Sequence, residues 1–164
     1  ISMPESNLMR FLFPRHTRGG ISRWHVGAQK DIAVERALFN GEGMIIWQDV
    51  FGAWLPYSEA QKKEIRAVKR LLGEHAAILS AEDCVPLLTT ASPNVYANGF
   101  FDGDRAAVTL YLTGDAPYEG DLLARLPYRT ARECRDALPV SVRDGVLRGR
   151  LIPGRTALVL LGCS

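Results

Sequence analysis

The stretch Met44–Tyr57, MIIWQDVFGAWLPY, decides how the first half of the chain is expected to fold. Its first four residues are apolar and do not alternate with polar ones, which is typical of a strand covered on both faces in a parallel sheet. The run ends at Gln48 and Asp49, and aromatic side chains recur through the residues that follow. A buried strand does not require an amide, a carboxylate and several rings at its end. The stretch therefore predicts a functional loop after a core strand.

The segments on either side of this strand predict βα units. Apolar residues recur at helical spacing through Gln29–Phe39, and Asn40-Gly41 supplies the left-handed end that helices favour. Upstream, the apolar run Leu8–Phe13 is stopped by Pro14 and predicts a short strand. Downstream, a predicted helix begins with a capping box and carries one apolar stripe, formed by Ser58 and Gln61 and by Ile65, Val68, Leu72, Ala76 and Leu79. The order strand, helix, strand, helix predicts two βα units in series.

The second half changes character after Glu82, where helical periodicity stops and turn signals recur every few residues. Val95–Phe101 and Arg105–Thr113 flank the turn sequence Asp-Gly-Asp and predict a hairpin. Asp144-Gly145 and Pro153-Gly154 separate three further short segments, the last of which is ALVLL. The fold class is therefore predicted as α/β followed by all-β, with an antiparallel β-sandwich in the second half.

Composition excludes several classes of partner. The 164 residues carry 20 Lys plus Arg and 18 Asp plus Glu, giving a net charge of +2 with the charges interspersed, so no nucleic acid partner is expected. No apolar run approaches the roughly 18 residues of a membrane span, so no membrane partner is expected. The three cysteines show no metal-ligand spacing, and no metal or cofactor is predicted. The chain starts at Ile1, so an upstream leader would not be visible and the compartment is left open.

The predicted site lies where parallel strands end. Ligands of parallel α/β folds bind beyond the carboxyl ends of the strands, where Gln48 and Asp49 follow the second strand and Arg15 and His16 follow the first. Sugar hydroxyls need this mixture of donors and acceptors, and aromatic rings pack against pyranose faces. The candidate carbohydrate-binding residues are Arg15, His16, Trp47, Gln48, Asp49, Trp54 and Tyr57.

Structural alternatives stay open for several of these residues. Trp47 is equally compatible with core packing, and Asp49 with bracing the turn that follows it. His16 beside Arg15 is also compatible with a solvated loop. Trp54 is the better candidate for a sugar platform because it lies within the loop.

The segment FNGEGMIIWQDVFGAWLPYSEAQKKEIRAVKRLL, with the tail DGVLRGRLIPGRTALVLL, resembles the end of a bacterial glycoside hydrolase-like protein. Such proteins have a (β/α)8 barrel followed by an all-β C-terminal domain, and their last barrel strand carries a W-[EQ]-[ND]-V-F-G-x-W pattern. The pattern is matched here by Trp47, Gln48, Asp49, Val50, Phe51, Gly52 and Trp54. Gln48 stands where relatives often carry Glu, so the resemblance gives that position no acid/base role.

The resemblance implies that residues 1–82 are the last two βα units of a TIM-type barrel and residues 83–164 the C-terminal β-sandwich. A complete barrel takes about 250 residues, so its N-terminal portion is the partner expected to be missing. The implied function is cleavage of O-glycosidic bonds. Glycosidases generally need two carboxylates, and only Asp49 is well placed, so the catalytic residues are unknown and the chain alone is predicted to be inactive. The alternative is a stand-alone β-sandwich that binds carbohydrate or another partner without catalysis.

Overall fold

The computed structural model describes residues 6–16, 19–21 and 27–163. Within these ranges the first half has four helices and four short strands, in the order α1 Leu8–Leu12, β1 Gly19–Ile21, α2 Ala28–Asn40, β2 Gly43–Ile45, β3 Asp49–Val50, β4 Ala53–Trp54, α3 Glu59–Glu74 and α4 Ala76–Leu79. The second half contains strands β5 Asp83–Val85, β6 Val95–Asp102, β7 Arg105–Leu112, β8 Tyr118–Leu123, β9 Thr130–Glu133, β10 Val140–Arg143, β11 Val146–Leu151 and β12 Thr156–Gly162. None of the helices among these described residues is both long and apolar enough to span a bilayer.

A two-stranded parallel sheet forms the centre of the first half. Strand β1 pairs with β2 in the register Gly19 to Gly43 and Ile21 to Ile45. Helix α2 connects them and ends at Gly41, whose φ of 59° and ψ of 39° are left-handed, and whose N–H donates to the carbonyls of Ala37 and Leu38. The predicted helix end is thus confirmed. A second strand is present, but it spans Gly43–Ile45, and Ile45 and Ile46 are exposed, so the expectation of a strand covered on both faces is wrong for the described residues.

The strand predicted over Leu8–Phe13 is wrong, because Leu8–Leu12 forms the helix α1. Arg10 and Phe11 are both buried, with the Arg10 guanidinium 5.4 Å from the centre of the Phe100 ring and donating to the Leu79 carbonyl. Adjacent residues of a strand point to opposite faces, whereas a helix lets neighbours share one side. An apolar run this short has no periodicity that separates the two cases.

Helix α3 begins as predicted. The Ser58 hydroxyl accepts from the Gln61 N–H, and the Gln61 side chain accepts from the Ser58 N–H, which completes the capping box. Its apolar side packs on α2, with Val68 and Leu71 buried. The stripe continues through the short helix α4 to Leu79.

The second half consists of two antiparallel sheets. One has five strands in the order β5-β6-β7-β12-β9, and the other has three in the order β10-β11-β8. The predicted hairpin is present as β6 and β7, with Asp102 opposite Arg105. Both sheets contribute to one hydrophobic cluster, whose fully buried members include Val108, Leu110, Leu122, Leu147, Leu151 and Val159.

Helix α2 covers the other face of the five-stranded sheet. Val34 and Leu38 pack there with Ala107 and Leu158. The Phe39 carbonyl near the helix end accepts from Thr109 Oγ1 at 2.6 Å and from Asn98 Nδ2 at 2.8 Å, and all three groups are buried. The predicted domain boundary at residue 82 stays a prediction. The hydrophobic cluster of Val34, Leu38, Ala107 and Leu158 contains residues from both sides of that boundary.

A buried ion network also joins the two halves. The Arg135 side chain, 1% exposed, donates to both carboxylate oxygens of Glu35 on α2 at 2.6 and 2.8 Å, and to Glu64 on α3 at 3.0 Å. Arg155 bonds to the same Glu64 oxygen and to both oxygens of Asp136. Because each buried charge has a partner of opposite sign, the network fixes α2 and α3 against the sheet.

Candidate functional site

A small hairpin forms the loop that follows β2. Strands β3 and β4 pair antiparallel, with Asp49 opposite Trp54 and Val50 opposite Ala53. Phe51 and Gly52 make the turn with φ values of 51° and 82°, the pattern of a two-residue type I′ turn. Residues that face each other across such a pair project on the same face, with Cβ atoms about 5 Å apart. The hairpin therefore places Asp49 and Trp54 opposite each other on one face.

The Asp49 carboxylate also braces the hairpin. Its Oδ1 accepts from the N–H of Gly52 at 3.1 Å. This is the turn-bracing role that the sequence left open as the alternative to ligand binding. Asp49 is exposed, so its carboxylate remains accessible from solvent.

The hairpin presents aromatic surface to solvent. The Trp54 side chain is 66% exposed and that of Phe51 is 81% exposed. Trp47 is half-buried, and its ring centre lies 6.5 Å from that of Phe51 at an interplanar angle of 48°. Trp47 and Phe51 thus lie ring against ring, and Trp54 is exposed on the returning strand; we call these three residues the hairpin aromatic patch.

Polar contacts hold the C-terminal end of the loop, residues 55–57, in place. The Gln48 side-chain oxygen accepts from the Tyr57 N–H at 3.2 Å. Lys30, buried in the first turn of α2, donates to the carbonyls of Leu55 and Pro56. Its ammonium lies 3.7 Å from the centre of the buried Tyr57 ring, a cation–π contact. Burial lowers the pKa of Lys30 below its ordinary value.

Arg15 and His16 lie elsewhere. They precede β1 in the chain, and they line a cavity of about 300 Å³ together with Glu42 and Gly43, which lie at the start of β2. The Arg15 guanidinium pairs with Glu82 at 2.6 Å. The expectation that both residues share an end with Gln48 and Asp49 is wrong, because the first strand follows His16 and does not precede it. Their role as sugar ligands stays a prediction.

Two residues that shape this site, Lys30 of α2 and Phe51 of the loop, are absent from the candidate binding residues that the sequence singled out. Lys30 gave no signal, since lysine is ordinarily exposed and only the folded chain places it under Tyr57. Phe51 lies inside the quoted pattern, but its exposure depends on the hairpin turn. A signal for the turn was present, because a glycine three residues beyond Asp49, at the second position of the turn, is typical of a tight hairpin.

The arrangement is suited to binding neutral polar molecules that have apolar faces. The indole of Trp54 offers a flat apolar surface, and the neighbouring carboxylate accepts hydrogen bonds from hydroxyls. Among the described residues, no three His, Cys, Asp or Glu side chains converge as metal ligands would. The loop of residues 47–57 holds one carboxylate, so it does not by itself form the carboxylate pair used in glycoside hydrolysis.

The fold of this chain was compared with known proteins and solved structures. No protein-family model matches the sequence, and no curated protein matches it with significant similarity. Among solved structures, the α-amylase from Geobacillus thermoleovorans complexed with acarbose has a TM-score of 0.66 at 10% identity, covering 94% of this chain and 42% of that chain. The Anoxybacillus α-amylase, whose structure provides insights into a new glycosyl hydrolase subclass, has a TM-score of 0.63 at 15% identity over 90% of this chain and 38% of that chain.

A third structure, AmyP in complex with maltose, has a TM-score of 0.54 at 14% identity over 80% of this chain and 34% of that chain. The chain therefore spans between a third and just over two fifths of the three proteins' lengths. At these identities the likeness establishes a shared fold. This 164-residue chain has the fold of part of α-amylase-type glycoside hydrolases, with mixed helix and sheet followed by antiparallel sheets.

Proposed function

We propose that the chain is the C-terminal part of a carbohydrate-active hydrolase that cleaves O-glycosidic bonds, and that it contributes binding residues to that activity. In this proposal residues 1–82 hold the last two βα units of a TIM-type barrel, and residues 83–164 form an antiparallel β-sandwich. The observation that carries it is the hairpin aromatic patch beside Asp49, on the carboxyl side of a parallel strand, within a fold shared with α-amylases.

The proposal assigns distinct roles to the loop residues. Trp54 is the main platform for a sugar ring, and Asp49 accepts hydrogen bonds from its hydroxyls. Trp47 borders the patch, while Gln48 and Tyr57 hold the loop in place through the bond between them. The ligand class follows from this chemistry together with the maltose and maltotriose bound in structures of AmyP.

The alternative is a stand-alone β-sandwich module that binds without catalysis. In that case the second half should fold and bind without the first half, and few contacts should join the two. The helices of the first half instead share a hydrophobic cluster and a buried ion network with the five-stranded sheet. This packing favours a unit in which both halves work together.

The test is sugar binding without turnover. Calorimetric titration of the chain with maltotriose and with cellotriose should detect binding of at least one sugar, while an aryl glycoside is not hydrolysed. Trp54→Ala should weaken that binding about five- to tenfold, the scale of one lost aromatic contact. Leu12→Ala, at a residue of α1 that is 69% exposed, is the matched control and should retain full affinity. Absence of binding at millimolar concentrations of both sugars would contradict the proposal.

A further inference from the structure

The cavity of about 300 Å³ that Arg15 and His16 line lies at the amino end of β2, whereas Asp49 and the hairpin follow the carboxyl end of that strand. Its lining combines apolar and basic side chains, among them Leu72, Ala76 and Leu79 with Arg10, Arg15 and His16. The volume is at the lower end of the range for small-molecule sites. The cavity is therefore suited to a small ligand that is both charged and apolar.

Arg10 is the cation of this lining that has no anionic partner among the described residues. It is 4% exposed, its guanidinium donates to backbone carbonyls, and its Nη1 is buried without a hydrogen-bond partner. The lining carboxylate Glu42 lies 4.0 Å from Arg36. Glu82 pairs with Arg15 at 2.6 Å. One buried positive charge thus lacks a counter-charge, which is costly in a folded protein.

The other neighbours of Arg10 do not supply the missing charge. Burial raises the pKa of the Cys84 thiol, and this outweighs the opposite effect of Arg10 on the same thiol. The protonated thiol contacts the Phe11 carbonyl at 3.8 Å. The ring of Phe100, whose centre lies 5.4 Å from the guanidinium, offers a cation–π contact and no formal charge.

We propose that the cavity binds a small molecule with one carboxylate on a compact apolar body. The carboxylate lies at the basic side chains and compensates the charge of Arg10, since guanidinium groups form charge-assisted hydrogen bonds with carboxylates. The apolar body packs on Leu72 and Ala76. One uncompensated cation matches a single negative charge better than it matches a phosphate group, which carries nearly two. This site is separate from the proposed function and does not depend on it.

The experiment compares two ligands that differ in charge and hardly in shape. Isobutyrate and neutral isobutyramide are titrated into the chain by NMR at constant ionic strength, with inorganic phosphate titrated in parallel. Isobutyrate should bind about tenfold more tightly than isobutyramide, the scale of one hydrogen-bonded contact between charged groups. Equal affinity for the acid and the amide overturns the inference. So does phosphate that binds more tightly than isobutyrate, or isobutyrate that does not bind.

Ala76→Leu and Ala77→Leu are a matched pair of variants that locates the binding. Both alanines are exposed residues of α4, and Ala76 is the one that lines the cavity. Ala76→Leu should fill part of the cavity and weaken isobutyrate binding at least about tenfold, whereas Ala77→Leu should leave it unchanged. Unchanged affinity in Ala76→Leu places the binding elsewhere and overturns the inference.

Arg10→Met tests the charge itself. It should bring the affinities for isobutyrate and isobutyramide together, and a preference for isobutyrate that persists overturns the role of Arg10. If this variant does not fold, the two alanine variants and the ligand pair carry the test. The proposed function stands or falls with the sugar titrations, so its failure is distinguishable from failure of this inference.

Discussion

Lys30 shows how one side chain shapes the candidate site. It is 1% exposed, and its ammonium is shared between two loop carbonyls and the face of the Tyr57 ring. Charged hydrogen bonds to backbone oxygens are stronger than neutral ones, which helps to offset the burial that lowers the pKa of Lys30. The position of the Leu55–Tyr57 segment, and so of the hairpin before it, depends on this contact.

Replacing Lys30 by methionine should therefore destabilise the chain. Methionine fills similar space but leaves the carbonyls of Leu55 and Pro56 without their donor, so the free energy of unfolding should drop by about 1–2 kcal/mol. Urea denaturation followed by circular dichroism measures the change. Lys69→Met, at an exposed position of α3, is the control and should alter stability by less than about 0.5 kcal/mol. Equal stability of both variants would contradict a supporting role for Lys30.

Helices α2 and α3 are attached to the five-stranded sheet by charges as well as by apolar packing. The carboxylates of Glu35 and Glu64 extend from the two helices to Arg135, just after edge strand β9, and Arg155, just before its neighbour β12. The hydrogen bonds that Arg155 donates to Asp136 hold the pKa of that carboxyl below its ordinary value. This carboxylate therefore stabilises the folded chain in its charged form.

Asp136→Asn should weaken the attachment in a pH-dependent way. A carboxyl whose pKa is lower in the folded than in the unfolded chain contributes its full stability above the unfolded value, near 4, and loses it as the pH falls through the folded value. The variant should be less stable by about 1–2 kcal/mol at pH 7, after allowance for partial solvent screening. The difference from the unchanged chain should shrink below about pH 4.

Urea titrations at pH 7 and at pH values below 4 measure this difference. Asp115→Asn is the matched control, because Asp115 is an exposed carboxylate outside the network. It should change stability little at either pH. A deficit in Asp136→Asn that is the same at all pH values would mean that its charge does not contribute through Arg155.

At the scale of the molecule, the two halves differ in how completely they bury their apolar surface. The β-sheets enclose a cluster of fully buried residues. In the first half, by contrast, the β1–β2 pair has no further strand beside it among the described residues. Large apolar side chains there are between 44 and 69% exposed, namely Leu8, Met9, Leu12, Phe13, Ile45 and Ile46. Two-stranded parallel sheets rarely stand alone, since such strands are normally covered on both faces.

We expect the chain to self-associate through this surface. Open strand edges and exposed apolar residues favour association, so sedimentation velocity should show a mass that rises with concentration. Ile46→Lys should shift the distribution towards the monomer, because it places a charge on the exposed surface. Ile152→Lys, at a 36% exposed position between β11 and β12, is the control and should not. A monomer at all concentrations would contradict the expectation.

Features that depend on neighbouring residues were determined by the sequence itself. The Ser58–Gln61 capping box, the left-handed Gly41 and the β6–β7 hairpin each form from contacts within a few residues, so their patterns predict them directly. The strands of the second half are likewise indicated by their turn signals, but which faces are covered is not, because β7 is buried on both sides, by the second sheet and by α2.

Other features were decided only by tertiary structure. Leu8–Leu12 forms a helix in which Arg10 and Phe11 both contact residues distant in sequence, namely Phe100 in β6 and the Leu79 carbonyl in α4. Because the first strand is β1, which begins after His16, Arg15 and His16 lie before the amino end of the parallel pair, whereas Asp49 follows its carboxyl end. Lys30 became a buried support for the loop only when α2 was placed beneath Tyr57. In each case the deciding energy comes from burial and pairing between distant segments, and no local pattern encodes it.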